Sequence, residues 1–212
     1  MSREEYFDEK IIKMINHAEN PTVASTATTS EVKEIPPEER SIHTGIKIGG
    51  QWIEFEERVF VNGKIVMTIP KEFREMDAET AKIKYPMEQR PQTIMTDSTG
   101  AVNILFNYMD ATMTNAEAEM FRDKLFSLMC RLNPGVRSQS IGCETIADKN
   151  IAYVEFSNPA MDGKLYNLMF FLEVEGKPLM CSFNCLTKSM KYWQKAAFEM
   201  MRSIKVTASE NE

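Results

Sequence analysis

Two histidines, His17 and His43, are all the imidazole this chain of 212 residues carries, and they bound the chemistry open to it. His17 lies in a leading stretch of alternating charge and apolarity, and His43 at the end of a Thr/Ser-rich segment. Neither position holds a rigid general base, so Ser/His/Asp and Cys/His nucleophilic systems are not expected. The four cysteines, Cys130, Cys143, Cys181 and Cys185, have no C-x-x-C spacing and no neighbouring histidine. Cys181 and Cys185 share one face of an expected strand but lie about 13 Å apart along it. A disulfide needs Cα atoms within about 7 Å, so all four read as reduced, mostly buried small hydrophobes. Asp97, Asp110, Asp148 and Asp162 fall at expected turns, where Asp serves local backbone hydrogen bonding rather than acid/base work. The Gly-containing run GIKIGG (45–50) matches neither a phosphate loop nor a dinucleotide fingerprint. It reads as the start of a strand. No catalytic residue, metal site or cofactor is expected, and the chain does not read as an enzyme.

The elements that would position any site come from the hydrophobic pattern. Residues 4–18 place Phe7, Ile11, Met14, Ile15 and Ala18 at helical spacing, with acids at the N-terminal end. The domain division is therefore an amphipathic helix over 1–19, a flexible linker over 20–44, a folded body over 45–206 and a tail over 207–212. The linker contains Pro36-Pro37 and no aromatic residue. In the body, QWIEFEERVFV and KIVMTI flank Asn62-Gly63, a two-residue hairpin turn. DAETAKIKYP (77–86) offers a short helix halted by Pro86. TIMTD and AVNILFNYM surround a second turn at Ser98-Thr99-Gly100. Thr114 to Glu117 is a capping-box pattern opening a helix with Phe121, Leu125, Leu128, Met129 and Leu132 on one face, stopped at Asn133-Pro134-Gly135. Four strands follow near 137–146, 151–157, 164–174 and 178–186. LYNLMFFLEV is apolar on both faces and should be covered twice, whereas LMCSFNCL alternates. A last helix over 189–203 sets Trp193, Ala197, Met200, Met201 and Ile204 on one face. The fold class is α+β, a mostly antiparallel sheet of about seven or eight strands covered by helices.

Hairpin, short helix, two strands, long helix, four-strand meander and closing helix is an order that resembles the PsbP-like superfamily. KIVMTIPKEF (64–73) resembles its strand ending in a Pro before an aromatic residue. AAFEMMRSIKV (196–206) resembles its closing helix, in which a Ser precedes a short apolar run. That superfamily includes DcrB-like bacterial proteins, a photosystem II extrinsic subunit and a yeast Ran-binding nuclear import factor. The resemblance covers about residues 45–206. It implies an αβα sandwich and a non-enzymatic role in binding or stabilising another protein. No functional residue carries over, because no functional motif is matched.

Charge narrows the partner. Net charge is −6. Residues 1–44 hold five basic and nine acidic side chains, against 20 and 22 in the remainder. That balance opposes nucleic acid and anionic membrane surfaces, both of which reward clustered Lys and Arg. Neither a signal peptide nor a run of about 18 apolar residues is present, so the expected location is the cytoplasm. Sixteen methionines are many, and Met also lines adaptable binding surfaces. If neighbouring strands run antiparallel, connections 85–92 and 110–114 meet at one end of the sheet. Tyr85, Met87, Arg90 and Met113 would then form an apolar patch with a cation at its rim, a common make-up for a protein-partner site. The alternative is a carrier of a small hydrophobic ligand, held in a pocket between the sheet and the long helix.

Overall fold

The computed structural model describes residues 41–48, 50–86, 90–160 and 163–207. The expected helix over 1–19 and nearly all of the linker and tail lie outside these residues. The body itself begins at the linker's last residues. Ile42 is buried, and its amide donates to Glu199 Oε2 at 2.8 Å.

A sheet of seven strands organises the molecule. It comprises β5 (Arg74–Glu75), β6 (Thr93–Thr96), β7 (Asn103–Tyr108), β8 (Arg137–Ile146), β9 (Lys149–Ala160), β10 (Gly163–Val174) and β11 (Lys177–Leu186), in the order β5-β6-β7-β11-β10-β9-β8. All its pairings are antiparallel. Residues of β8 to β11 follow one another through turns of two residues where these are described, Ala147-Asp148 and Glu175-Gly176, all four at positive φ. Such turns carry the twist of the flanking strands and so lock the register.

Period-two alternation then sorts the side chains onto two faces. On one face Leu168, Phe170 and Leu172 of β10 join Leu179, Cys181, Phe183 and Cys185 of β11, and the closing helix α3 (Met190–Arg202) covers them with Trp193, Ala197, Met200 and Met201. On the other face Met169 and Phe171 meet Phe121, Leu125, Phe126 and Met129 of the long helix α2 (Ala118–Leu132). The doubly apolar strand β10 is thus covered twice, as its sequence requires. The short helix α1 (Ala78–Lys84), capped by Asp77 through Glu79 and Thr80 amides, lies on the same side as α2. Thr114 and Glu117 form the capping box, first opening a single 3-10 turn that leads into α2.

One expectation needs correction. The first hairpin is not part of the large sheet, and its first strand is not continuous. β1 (Ile46–Ile48) pairs with β2 (Gln51–Ile53), the run breaks at Glu54, and β3 (Phe55–Phe60) pairs with β4 (Ile65–Pro70). Lys64 N donates to Val61 O at 3.2 Å around Asn62 and Gly63, both at positive φ. With β12 (Lys205–Val206) these make a separate three-stranded sheet, β12-β4-β3. Its apolar side, Ile65, Met67 and Ile69, is fully buried beside α3, and Phe60 stacks on Phe106 with ring centroids 4.3 Å apart. Burial favours this arrangement because β4 alternates large apolar residues that no edge position of the main sheet would cover. The result is an α+β sandwich: α1 and α2, the seven strands, then α3 with the small sheet. No helix among the described residues is long and apolar enough to cross a membrane.

Candidate functional site

Among the described residues strand β8 is the end strand of the sheet, bonded to β9 alone. The tight turn at Ala147-Asp148 pairs Ile146 with Lys149, and one extra residue, Gln139, bulges between Ser138 and Ser140. A bulge re-aims the side chains around it. Here it leaves Ser140 directly opposite Glu155.

Glu155 is a carboxylate buried inside the sheet's α3 face, 5% exposed. Its Oε2 accepts from the Ser140 hydroxyl. Its Oε1 accepts from Tyr166 Oη at 2.6 Å and from Gln194 Nε2 at 2.7 Å. Strands β8, β9 and β10 and helix α3 thus each contribute to one hub. Burial, and then the hydrogen bond to Glu155, pushes the Tyr166 hydroxyl far above the ordinary phenol range, so Tyr166 remains the donor. Among the described residues no ion pair reaches Glu155. Arg122, the other buried charged side chain among the described residues, has Asp123 at 2.9 Å and Glu119 at 3.5 Å. Taking a lone carboxylate out of water costs several kcal/mol. Each hydrogen bond to a charged group offsets about 1.5–3 kcal/mol of that.

A depression of about 430 Å³ opens above the hub, lined by Ser140, Tyr153, Glu155, Gln194, Lys195, Phe198 and Arg202. Tyr153 and Phe198 wall it, edge to face with centroids 5.2 Å apart. Gly142 permits this: a Cβ there would lie 2.4 Å from the Tyr153 hydroxyl, so only glycine lets that ring cross β8. The basic side chains at the rim already have partners. Arg202 binds Glu144 with two hydrogen bonds of 2.7 Å and stacks over Phe198 at 5.4 Å. Hydrogen bonds from Arg202 hold the Glu144 carboxyl below its ordinary range. Lys195 lies 3.9 Å from Glu199. Chemically the groove offers a hydrogen-bonded anion between aromatic walls. Its serine hydroxyl, Ser140, donates to a carboxylate, and among the described residues no imidazole lies beside it. Among the described residues no group of three His, Cys, Asp or Glu side chains has the arrangement of a metal site.

The residues singled out from sequence lie elsewhere. The connections do converge: Met113 N donates to Gly176 O at 2.9 Å, Met109 N to Pro178 O at 3.0 Å, and Gln92 Nε2 to Tyr108 O at 2.9 Å. Met113, however, is 2% exposed and belongs to the packing rather than to an open surface. Tyr85 is half-buried at the end of α1 against Met76, Ala81, Ile94 and Leu105, with its hydroxyl raised by burial despite a hydrogen bond to Asn184. Arg90 is half-buried, and its Nε is fully enclosed without a hydrogen-bond partner among the described residues. Met87 lies outside the described residues. The hydrophobic carrier reading finds no support either. The space between sheet and long helix is filled, with Phe121 on Phe171 at 5.9 Å and Phe126 on Phe156 at 5.6 Å.

Sequence reading missed Glu155, Ser140, Tyr166 and Gln194. One signal was present: in IAYVEFS, Glu155 follows Ile151 and Tyr153 at period two, a charge on an inward face. Its partners come from strands and a helix up to 39 residues away, which no local pattern connects.

No family model matches the chain, and no curated protein sequence matches it. Solved structures do. Cyanobacterial PsbP (CyanoP) from Synechocystis superposes with a TM-score of 0.55 at 11% identity, covering 72% of this chain and 92% of that one. LpqN, described as involved in cell envelope biogenesis of Mycobacterium tuberculosis, gives a TM-score of 0.49 at 12% identity, covering 74% and 92%. At such identities the likeness is one of backbone architecture. The chain has a PsbP-like fold.

Proposed function

We propose that this chain is a non-enzymatic binding or accessory domain that recognises another protein along the outer edge of β8. The observation that carries this is the edge of a strand ten residues long, unpaired among the described residues. Ile146 and Lys149 close the two-residue turn, and from there hydrogen-bonded and non-hydrogen-bonded pairs alternate up the ladder. Glu144 and Gly142 therefore bond inward to β9, while Ile141, Cys143 and Thr145 direct their backbone groups outward. Ile141 is 51% exposed beside them. Open edges are managed with charge, proline or short length unless they serve pairing, and strand addition is a recurring mode of peptide recognition. The PsbP-like architecture supports a binding role only as an analogy of fold. Four free thiols fit a reducing compartment, which supports a cytoplasmic location.

A second reading is favoured by Arg90, whose enclosed Nε lacks a partner among the described residues. An acceptor from a partner would satisfy it near Gln92, whose side chain bonds Tyr108 O at the end of β7.

The two separate in one affinity experiment with full-length bait. Ile141→Pro removes an outward amide and obstructs the edge without breaking a ladder bond. Arg90→Gln tests the sheet end. A protein retained by wild type and Arg90→Gln, but lost with a normally melting Ile141→Pro, is the expected result. Retention by Ile141→Pro with loss in Arg90→Gln would move the site to the sheet end and refute the β8 reading.

A further inference from the structure

The groove beside β8 contains a charge without a counter-ion among the described residues. Glu155 is held by three neutral donors, whereas Arg202 and Lys195 at its rim face Glu144 and Glu199. Two aromatic rings flank the opening; an aromatic face attracts a cation, and Arg202 already lies over the Phe198 ring at 5.4 Å. The strand between Glu155 and the edge presents Ser140 and Gly142 on this face; the Tyr153 ring lies across Gly142, so the way in passes over Ser140.

We propose that this groove receives a lysine or arginine side chain of the partner, with Glu155 as its counter-ion and Tyr153 and Phe198 as its walls. The proposal rests on the reading of β8 as the docking edge, since a strand added there runs past the groove's mouth. Among the described residues Glu155 Oε2 accepts one hydrogen bond, from Ser140, and a carboxylate oxygen has room for a second. The ammonium or guanidinium completes that oxygen and neutralises the buried charge.

The test begins with small probes on the isotope-labelled full chain: butylammonium, butylguanidinium and the neutral butanol. Saturable shifts of the Gln194 side-chain amide and the Ser140 and Gly142 backbone amides are expected with both cations and not with butanol. Glu155→Gln weakens cation binding by about tenfold or more. Should that variant fold poorly, Phe198→Leu retains the carboxylate and weakens binding by about two- to fivefold. Butanol matching the cations, or cation shifts mapping away from the groove, overturns the proposal. A second pair of probes separates pocket from edge: acetyl-Thr-Val-Lys-Val-Thr-amide and its norleucine analogue. Tighter binding of the lysine peptide supports both. Equal binding of the two peptides overturns the pocket and leaves the edge in place. Binding of the small cations without either peptide refutes the edge and leaves the pocket standing.

Discussion

Removing one hydroxyl from the core measures how much the hub around Glu155 matters. Tyr166 is completely buried, and its ring packs near Phe183 at 6.4 Å. Tyr166→Phe keeps that ring, creates almost no cavity and deletes one donor to the carboxylate at 2.6 Å. Hydrogen bonds to charged groups contribute about 1.5–3 kcal/mol, and a buried acceptor left short of a donor falls in the upper part of that range. For a body of this size the change lowers Tm by roughly 3–12 °C. Urea unfolding of wild type, Tyr166→Phe, Glu155→Gln and the double variant closes a cycle. The hydroxyl should lose most of its value once residue 155 is uncharged, giving a coupling of about 1 kcal/mol or more. A Tyr166→Phe protein within about 0.5 kcal/mol of wild type, the scatter of ordinary surface substitutions, would refute the view that Glu155 depends on these donors. Coupling near zero with a large single-variant loss would assign that loss to packing instead.

Three further expectations follow from the same region and the core. Gly142→Ala places a methyl 2.4 Å from the Tyr153 hydroxyl, so it costs about 1–3 kcal/mol by overpacking; combining it with Tyr153→Ala in a thermal melt should recover much of that loss. Glu144, held below its ordinary value of 4.5 by Arg202, binds protons less readily folded than unfolded. Its contribution is present above pH 4.5 and fades as pH falls through the lowered value. Glu144→Gln should therefore lose less Tm than wild type between about pH 6 and pH 3, and an identical acid loss in both proteins would contradict this. Cys181 and Cys185 are buried with thiols pushed up, Cys185 to about 12. Alkylation of native protein at about pH 8 should modify Cys130 or Cys143 first and reach the other two only on unfolding, as peptide mapping would show.

How much of this was legible beforehand depended on the range of the interaction. Local rules carried the elements. Thr114 and Glu117 announce the start of α2, Asn62-Gly63 the first hairpin, and the alternation in LMCSFNCL the inward set Leu179, Cys181, Phe183 and Cys185. In each case the physics acts within a few residues: a cap, a positive φ, a pleat of period two. Even the meeting of connections 110–114 and 175–178 followed from antiparallel order.

Tertiary structure decided the rest. Nothing local says that β3 and β4 leave the main sheet, since the same alternation suits either sheet. The choice rests on which surface covers Ile65, Met67 and Ile69. Met113 sits in a connection, where sequence favours exposure, yet the turn at Gly176 holds it inside. The groove is the clearest instance. Ser140, Glu155, Tyr166 and Gln194 come from three strands and a helix, and each alone is an unremarked residue in an amphipathic element. A bulge at Gln139 and a glycine at 142 bring them together under an open cleft. Sequence sets the pattern within an element because backbone geometry is periodic. The site depends on distances between elements, and those are fixed only when the core packs.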